Sequence, residues 1–335
     1  MERPCVRVPR EAGEETRQAL TDAGLLDDGY EIVVEDGRLY LPVTDRDAAS
    51  ERYELVTRDV PPHDTQQTPA DRLGFDPSYE RLGDVAILDE DDPKRAGEIA
   101  DAILGSDLPV RAVIDRASKV KGDLRVRDWT VVARADDAES DGPVTETVHR
   151  EYGFEYLLDL SMVYFSPRLA TERHRVTEGV AAGEQVVDMF AGVGPFAVPM
   201  AASGTTVVAV DLNPAAVEYL RENARRNGVA DRVTAIEGDV RTVAADYADW
   251  ADRIVMNLPH SADDFLDAAV TLAGEDCVLH YYDIQHEDDP FGPGERAIRE
   301  AAEPAGYDVD VLTRHVVRSY APHEQNVCLD VRLSR

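Results

Sequence analysis

Along the second half of the chain, short apolar runs alternate with amphipathic stretches of helical period. Runs ending at Asp188, at Asp211 (206–210), at Asp239 (233–240) and at Asn257 (253–256) read as four successive strands. Helices are expected near 196–202, 214–227 and 262–273, a fifth strand over 277–284 and a helix over 294–305. The last two runs, 309–317 and 327–333, have no helix between them and predict an antiparallel pair at the sheet edge. Upstream the pattern is different. Residues 1–60 predict strands at 5–8, 30–34, 39–43 and 53–60, a helix at 11–23 and a tight turn at Asp36-Gly37, which makes a small α+β unit. The polar, proline-rich stretch 61–69 reads as a linker. Residues 70–160 predict a second α+β unit with strands at 84–88, 145–151 and 154–160, a helix at 94–104 and an acidic hairpin loop at 135–142. Residues 161–335 form the third part, a Rossmann-like α/β sheet.

The chemistry concentrates at the strand ends. Asp188, Asp211, Asp239 and Asn257 each close a strand at the carboxyl edge, where open parallel sheets bind ligands. After Asp188 the chain turns through Gly192 and Gly194, which lets backbone approach a ligand. A dinucleotide site wants a third glycine, and Ala197 stands in its place. An acid before the turn repels a pyrophosphate and suits the ammonium group of an amino acid. A nucleoside bearing a zwitterion and no phosphate is S-adenosylmethionine, with Asp211 expected on its ribose hydroxyls and Asp239 beside its adenine. An unliganded sheet with chance acids at its strand ends is the competing reading.

Charge changes the picture. The 335 residues carry a formal charge of −32, and lysine occurs only at 94, 119 and 121. An acidic excess spread over every segment reads as a surface adapted to high salt, hence a halophilic source. At molar salt the Debye length falls to about 3 Å, so acidity does not exclude a nucleic-acid partner. The one basic island, 116–127, holds Lys119, Lys121, Arg125 and Arg127. It fits phosphate contact or an edge strand guarded by lysine equally well. Ser166-Pro167 predicts a helix start, with Arg168 and Glu172 four apart on one face as an ion pair. Cys5, Cys277 and Cys328 have no metal or disulfide spacing, and no metal is expected. No apolar run approaches membrane length and no signal h-region opens the chain, which predicts a soluble, cytoplasmic protein; a monomer is expected.

Five blocks together carry a resemblance: Lys121-Gly-Asp-Leu-Arg125-Val-Arg127, Tyr164-Phe-Ser-Pro-Arg-Leu-Ala-Thr-Glu172-Arg173, Asp188-Met-Phe-Ala-Gly-Val-Gly-Pro-Phe196, Met256-Asn-Leu-Pro259 and Ser319-Tyr-Ala-Pro-His-Glu324. The chain resembles the archaeal tRNA (guanine-37-N1)-methyltransferase family over nearly its whole length. The glycine block is shared by many methyltransferases, whereas the Ser-Pro-Arg-Leu and Asn-Leu-Pro blocks are more specific. The resemblance implies a seven-stranded class I methyltransferase domain preceded by two smaller α+β domains. It implies that the amino-terminal domain grips the tRNA elbow while the rest holds the anticodon loop and S-adenosylmethionine. It makes Glu172 the general base, sets Arg125 against guanine O6, and places Asn257 and Pro259 beside the target base. Arg173, Asp211, Leu212, Asp239, Val240 and Asn257 fall at cofactor positions, and Tyr164 lies beside the same pocket. Glu151-Tyr152-Gly153 departs from the Glu-Asn-Gly of relatives. Two other readings stay open: an aminocarboxypropyl transferase acting on the same tRNA nucleoside, and a tRNA-binding or cofactor-sensing protein without catalysis.

Overall fold

The computed structural model describes residues 2–62, 66–135 and 142–335. Residues 63–65 of the expected linker and 136–141 of the expected acidic loop lie outside the described residues. The chain divides into two compact units, Met1–Thr68 and Pro69–Arg335.

In the first unit, β1 (Glu2–Pro9) pairs antiparallel with both β3 (Arg38–Pro42) and β4 (Leu55–Asp59). Helix α1 (Gly13–Asp22) and the short strand β2 (Val33–Glu35) precede β3, and α2 (Arg46–Ser50) precedes β4. The Asp36-Gly37 turn takes positive φ at both residues, +49° and +74°, which matches the twist of the β2–β3 hairpin. Helix α2 was not legible as an apolar pattern. Asp45 caps it, accepting from the N–H groups of Asp47 and Ala48.

The second unit begins with α3 (Pro69–Leu73), β5 (Glu80–Leu82), β6 (Val85–Leu88), α4 (Pro93–Leu104), β7 (Ala112–Arg116) and β8 (Trp129–Arg134). Its four strands form a sheet in the order β5-β6-β7-β8. The hairpin β9 (Glu146–Glu151) and β10 (Phe154–Asp159) follows, then α5 (Ala170–Glu178). Next comes β11 (Gln185–Asp188), α6 (Ala197–Ala202), β12 (Thr206–Asp211), α7 (Pro214–Arg226), β13 (Val233–Glu237), α8 (Val240–Val243) and β14 (Ala251–Met256). The chain finishes with α9 (Leu266–Leu272), β15 (Ala273–His286), α10 (Gly292–Ala302), β16 (Asp308–Ala321) and β17 (Glu324–Ser334).

These last strands build a seven-stranded sheet, β13-β12-β11-β14-β15-β17-β16, parallel as far as β15 and antiparallel through β17 and β16. Successive residues of β11 point to opposite faces: Val186 packs with α6 and α7 residues such as Met200 and Leu220, and Val187 with Ile254, Leu266 and Leu279. Both faces are therefore covered, as a parallel sheet requires.

The expected boundary at 160 does not separate two compact units. Asn223 of α7 and its C-cap Asn227 hydrogen-bond β10 backbone, at Leu157 and Glu155, which ties the hairpin to the large sheet. Two further expectations change. The basic island is not an edge strand: it is the loop between β7 and β8. Arg168 pairs with Glu80 rather than with Glu172, because Pro167–Leu169 is a 3-10 turn that sets Arg168 off the α5 face. Ser166 sits at its N-cap without a side-chain capping bond. Among the described residues no helix is long and apolar enough to cross a membrane.

Candidate active site

The carboxyl ends of β11, β12 and β14 open onto a cavity of about 1320 Å³, which the β7–β8 loop closes from the other side. Gly192 (φ +53°) lies at its floor, and a Cβ there would meet only the Tyr164 carbonyl oxygen, at 4.0 Å, so the backbone is open to close approach. Gly194 serves another purpose. It does not line the cavity, and a Cβ on it would stand 2.4 Å from Leu220 Cδ1, so it lets α7 pack beneath the turn.

Asp211 lines the cavity at the end of β12. Its Oδ2 accepts the Gly192 N–H at 2.6 Å and its Oδ1 the Asn213 N–H at 2.8 Å, while burial pushes its carboxyl up. Exposed Leu212 follows it on the wall. Asp239 caps α8 and forms an ion pair with Arg241, whose hydrogen bonds hold its carboxyl below the usual range. Beside it Val240 lines the wall, and Phe190 and Phe265 meet edge to face at 4.9 Å. Those two aromatics escaped the sequence reading, since nothing in their spacing joins the glycine turn to the segment before α9.

Asp188 does not meet the expectation of a ligand-facing acid. It is fully buried and does not line this cavity. Only the Phe190 N–H reaches its Oδ1, at 3.4 Å, and its Oδ2 has no partner. Burial pushes this carboxyl up to about 7.

On the opposite side, the loop from Ala117 to Asp128 folds back on itself through Lys121 N–H to Val126 O (2.8 Å) and Arg125 N–H to Gly122 O (3.1 Å). Arg125 takes φ +56°, a conformation that costs a non-glycine residue about 1–2 kcal/mol. Its guanidinium lies 5.2 Å over the ring of Tyr164, and both line the cavity with Asn257 and Pro259. Lys119 and Arg127 line it too, whereas Lys121 is turned to Asp128. His260, Arg318, Tyr320 and Asn326 complete this wall and were not foreseen. Asn326 is 4% exposed, and its Oδ1 has no partner.

Arg173 reaches the cavity but is committed to Glu151 (2.8 and 2.5 Å) and to the Ser166 carbonyl (3.1 Å). Glu172 does not line the cavity. It is 4% exposed and closed within a polar network. Arg175 donates to both its oxygens at 2.8 Å, Tyr282 OH donates at 2.8 Å, and His315 Nε2 lies 3.2 Å away. Arg175 also grips Asp330 (2.6 Å), which meets His280 Nδ1 at 2.6 Å. Arg253 lies 2.7 Å from His280 Nε2. A guanidinium only donates, so Nε2 accepts and Nδ1 carries the proton given to Asp330. Burial lowers the His280 pKa and keeps this imidazole neutral. His280, Cys328 and Asp330 stand close enough to hold a metal, but Arg175 and Arg253 beside them oppose a cation.

Residues 147–311 match the TRM5/TYW2 methyltransferase domain, and residues 5–51 match the tRNA methyltransferase 5 N-terminal domain. The chain is 39% identical to tRNA (guanine(37)-N(1))-methyltransferase Trm5b of Pyrococcus abyssi, over 98% of this chain and 99% of that one.

The chain belongs to the TRM5/TYW2 methyltransferase family.

The solved structure of the P. abyssi Trm5b aligns with TM-score 0.71 and 36% identity, covering 99% and 100% of the two chains. A solved complex of aTrm5 and tRNALeu aligns with TM-score 0.72 and 31% identity over 98% and 99%. The tRNA(Phe) (4-demethylwyosine(37)-C(7)) aminocarboxypropyltransferase of Pyrococcus horikoshii is 32% identical over 76% of this chain and 88% of its own. Among these family members the P. abyssi methyltransferase matches both units, while the aminocarboxypropyltransferase leaves about a quarter of the chain unmatched.

Proposed function

We propose that this protein methylates N1 of guanine 37 in tRNA, using S-adenosylmethionine. The observation that carries the reading is one cavity lined by the Gly192–Asp211 strand edge, by Arg125 and by Asn257 together. The residues present fit the cofactor: Asp211 offers its carboxylate to a ribose, Gly192 leaves room for close approach, and Phe190 with Phe265 gives an apolar wall to a purine. When bound, S-adenosylmethionine supplies an electrophilic methyl group.

Guanine N1 carries a proton at neutral pH, so the reaction needs an acceptor. We assign that role to Glu172, which lies outside the cavity wall and must turn toward it, exchanging its contacts with Tyr282 and His315 for the N1–H of the extruded base. As N1 loses its proton, negative charge spreads to O6, where the Arg125 guanidinium stabilises it. Asn257 orients the base edge through its amide. Lys119 and Arg127 meet the RNA backbone, and the first unit meets the tRNA elbow.

Incubating unmodified tRNA with the protein and S-adenosylmethionine, then resolving nucleosides by mass spectrometry, tests the reading. 1-Methylguanosine at position 37 is the expected product. An aminocarboxypropyl adduct would assign the chain to the sibling activity. Absence of any product with tRNA binding intact would make it a binding protein.

A further inference from the structure

In a chain this acidic, an arginine usually finds a carboxylate. Arg116 lies against Glu80 and Asp89, Arg168 against Glu80, and Arg173 against Glu151. Arg125, Arg127 and Arg318 have no ion-pair partner among the described residues. All three line a second cavity, of about 260 Å³, that adjoins the large one and shares these arginines and Tyr164 with it.

The charge balance of this small cavity is the reverse of the chain's. Five arginines line it, at 116, 125, 127, 168 and 318, against two acids, Glu80 and Asp89. Both acids are already used by Arg116 and Arg168. The remaining three guanidinium groups therefore face one small space uncompensated. Two of them are also short of hydrogen bonds: Nε of Arg125 and Nε of Arg318 are buried without a partner. Both belong to side chains that line the small cavity, and a buried donor left unsatisfied costs about 1–3 kcal/mol. Arg127 is held over Trp129 at 5.5 Å, and desolvation together with the nearby Arg116 lowers its pKa, against the opposing pull of Asp89 and Glu80.

We propose that the small cavity is a phosphate site, in which Arg127 and Arg318, with Arg125 at the opening between the cavities, receive a phosphodiester of the nucleotide whose base enters the large cavity. This rests on tRNA being the substrate. The two cavities adjoin, as base and phosphate do on either side of one ribose, and Arg125 lines both. A nucleotide turned out of its stack rotates about its backbone, so an anchor on the adjacent phosphate holds the turned-out state without reading sequence. Planar guanidinium forks suit the paired non-bridging oxygens of a phosphodiester. Arg318 comes from β16 and Arg127 from the β7–β8 loop, so the anchor would also draw these two elements onto the substrate.

The carboxylate of S-adenosylmethionine is the other anion the site could hold, and the test separates the two. Full-length protein is titrated with tRNA carrying a single uncharged methylphosphonate at either linkage flanking nucleotide 37, and separately with S-adenosylmethionine. The parent should bind one of the two modified tRNAs about 10–100-fold more weakly than unmodified tRNA. Arg318→Gln should bind unmodified tRNA equally weakly, lose nothing further to the methylphosphonate, and keep the parental affinity for S-adenosylmethionine. Arg127→Gln, on a loop outside both sheets, makes the same comparison if Arg318→Gln does not fold. A parent indifferent to both modifications overturns the proposal, as do variants that remain as sensitive as the parent. Loss of cofactor affinity in place of tRNA affinity would hand the site to the carboxylate. Phosphate sensitivity in a parent that forms no methylated nucleoside would keep this site and remove the methyl-transfer reading.

Discussion

Arg175 and Arg318 belong to the same compact unit and meet opposite fates. Arg175 grips two carboxylates, Glu172 and Asp330, inside a network that runs on through His280 and Arg253 to Glu184. Arg318 faces two cavities with a buried, unbonded Nε. Where the protein supplies every partner, charge holds elements together: the closed network joins α5, β14, β15, β16 and β17. Where it withholds partners, the charge is left for something else to bind. The same contrast separates Arg173, locked to Glu151, from Arg125, and Lys121, paired with Asp128, from Lys119.

Glu172 is where that contrast is most exposed, because it is closed in the structure and yet assigned to chemistry. Glu172→Gln should slow single-turnover methyl transfer by about 10²–10⁴-fold, with partial recovery at high pH as guanine loses its proton unaided. It should also lower stability, since an amide turns donors toward Arg175 where a carboxylate accepted. Asp330→Asn breaks the same network one step further out. It should cost comparable stability while retaining far more of the single-turnover rate. Equal rate losses in the two variants would reduce Glu172 to a structural residue.

Asp188 offers the next largest effect. Its carboxyl is raised to about 7 in the folded state, against 3.8 as reference. Below about pH 4 both states are protonated and nothing is lost. As pH rises toward 7 the unfolded chain releases its proton first, so stability falls, by up to about 4 kcal/mol above pH 7. Asp188→Asn should be the more stable protein in urea at pH 8 and should lose that advantage at pH 4, at constant salt. A parent whose stability did not fall across this window would mean that Asp188 has a partner in solution.

A smaller effect is expected at Asp211, which bonds the glycine turn and faces the cavity. Asp211→Ala should weaken S-adenosylmethionine by about 1–3 kcal/mol in calorimetry, and unchanged affinity would leave it only its bond to Gly192. The smallest effect sharpens the paired-versus-free distinction directly. Lys119→Ala should flatten the salt dependence of tRNA binding by about one unit of slope, and Lys121→Ala by less, because Asp128 already neutralises it. Equal slopes for the two variants would erase the distinction.

Sequence by itself determined the sheet and the edge at which it works. Parallel strands joined by helices bring every carboxyl end to one side, so Asp211, Asp239 and Asn257 converge by topology alone, before any side chain is placed. It could not determine the direction of each side chain. Asp188 ends its strand as Asp211 does, but its carboxyl is buried behind the turn while that of Asp211 reaches the cavity. Nor could it say which charges would pair. Of the partners of Glu172 only Arg175 stands at a helical spacing; Tyr282 and His315 come from β15 and β16, and the partner of Arg168 from β5, separations at which no sequence period operates. Arg318 and Asn326 reach the cavity only because β16 and β17 run antiparallel in the register that pairs these two residues, and no local pattern encodes a register between strands.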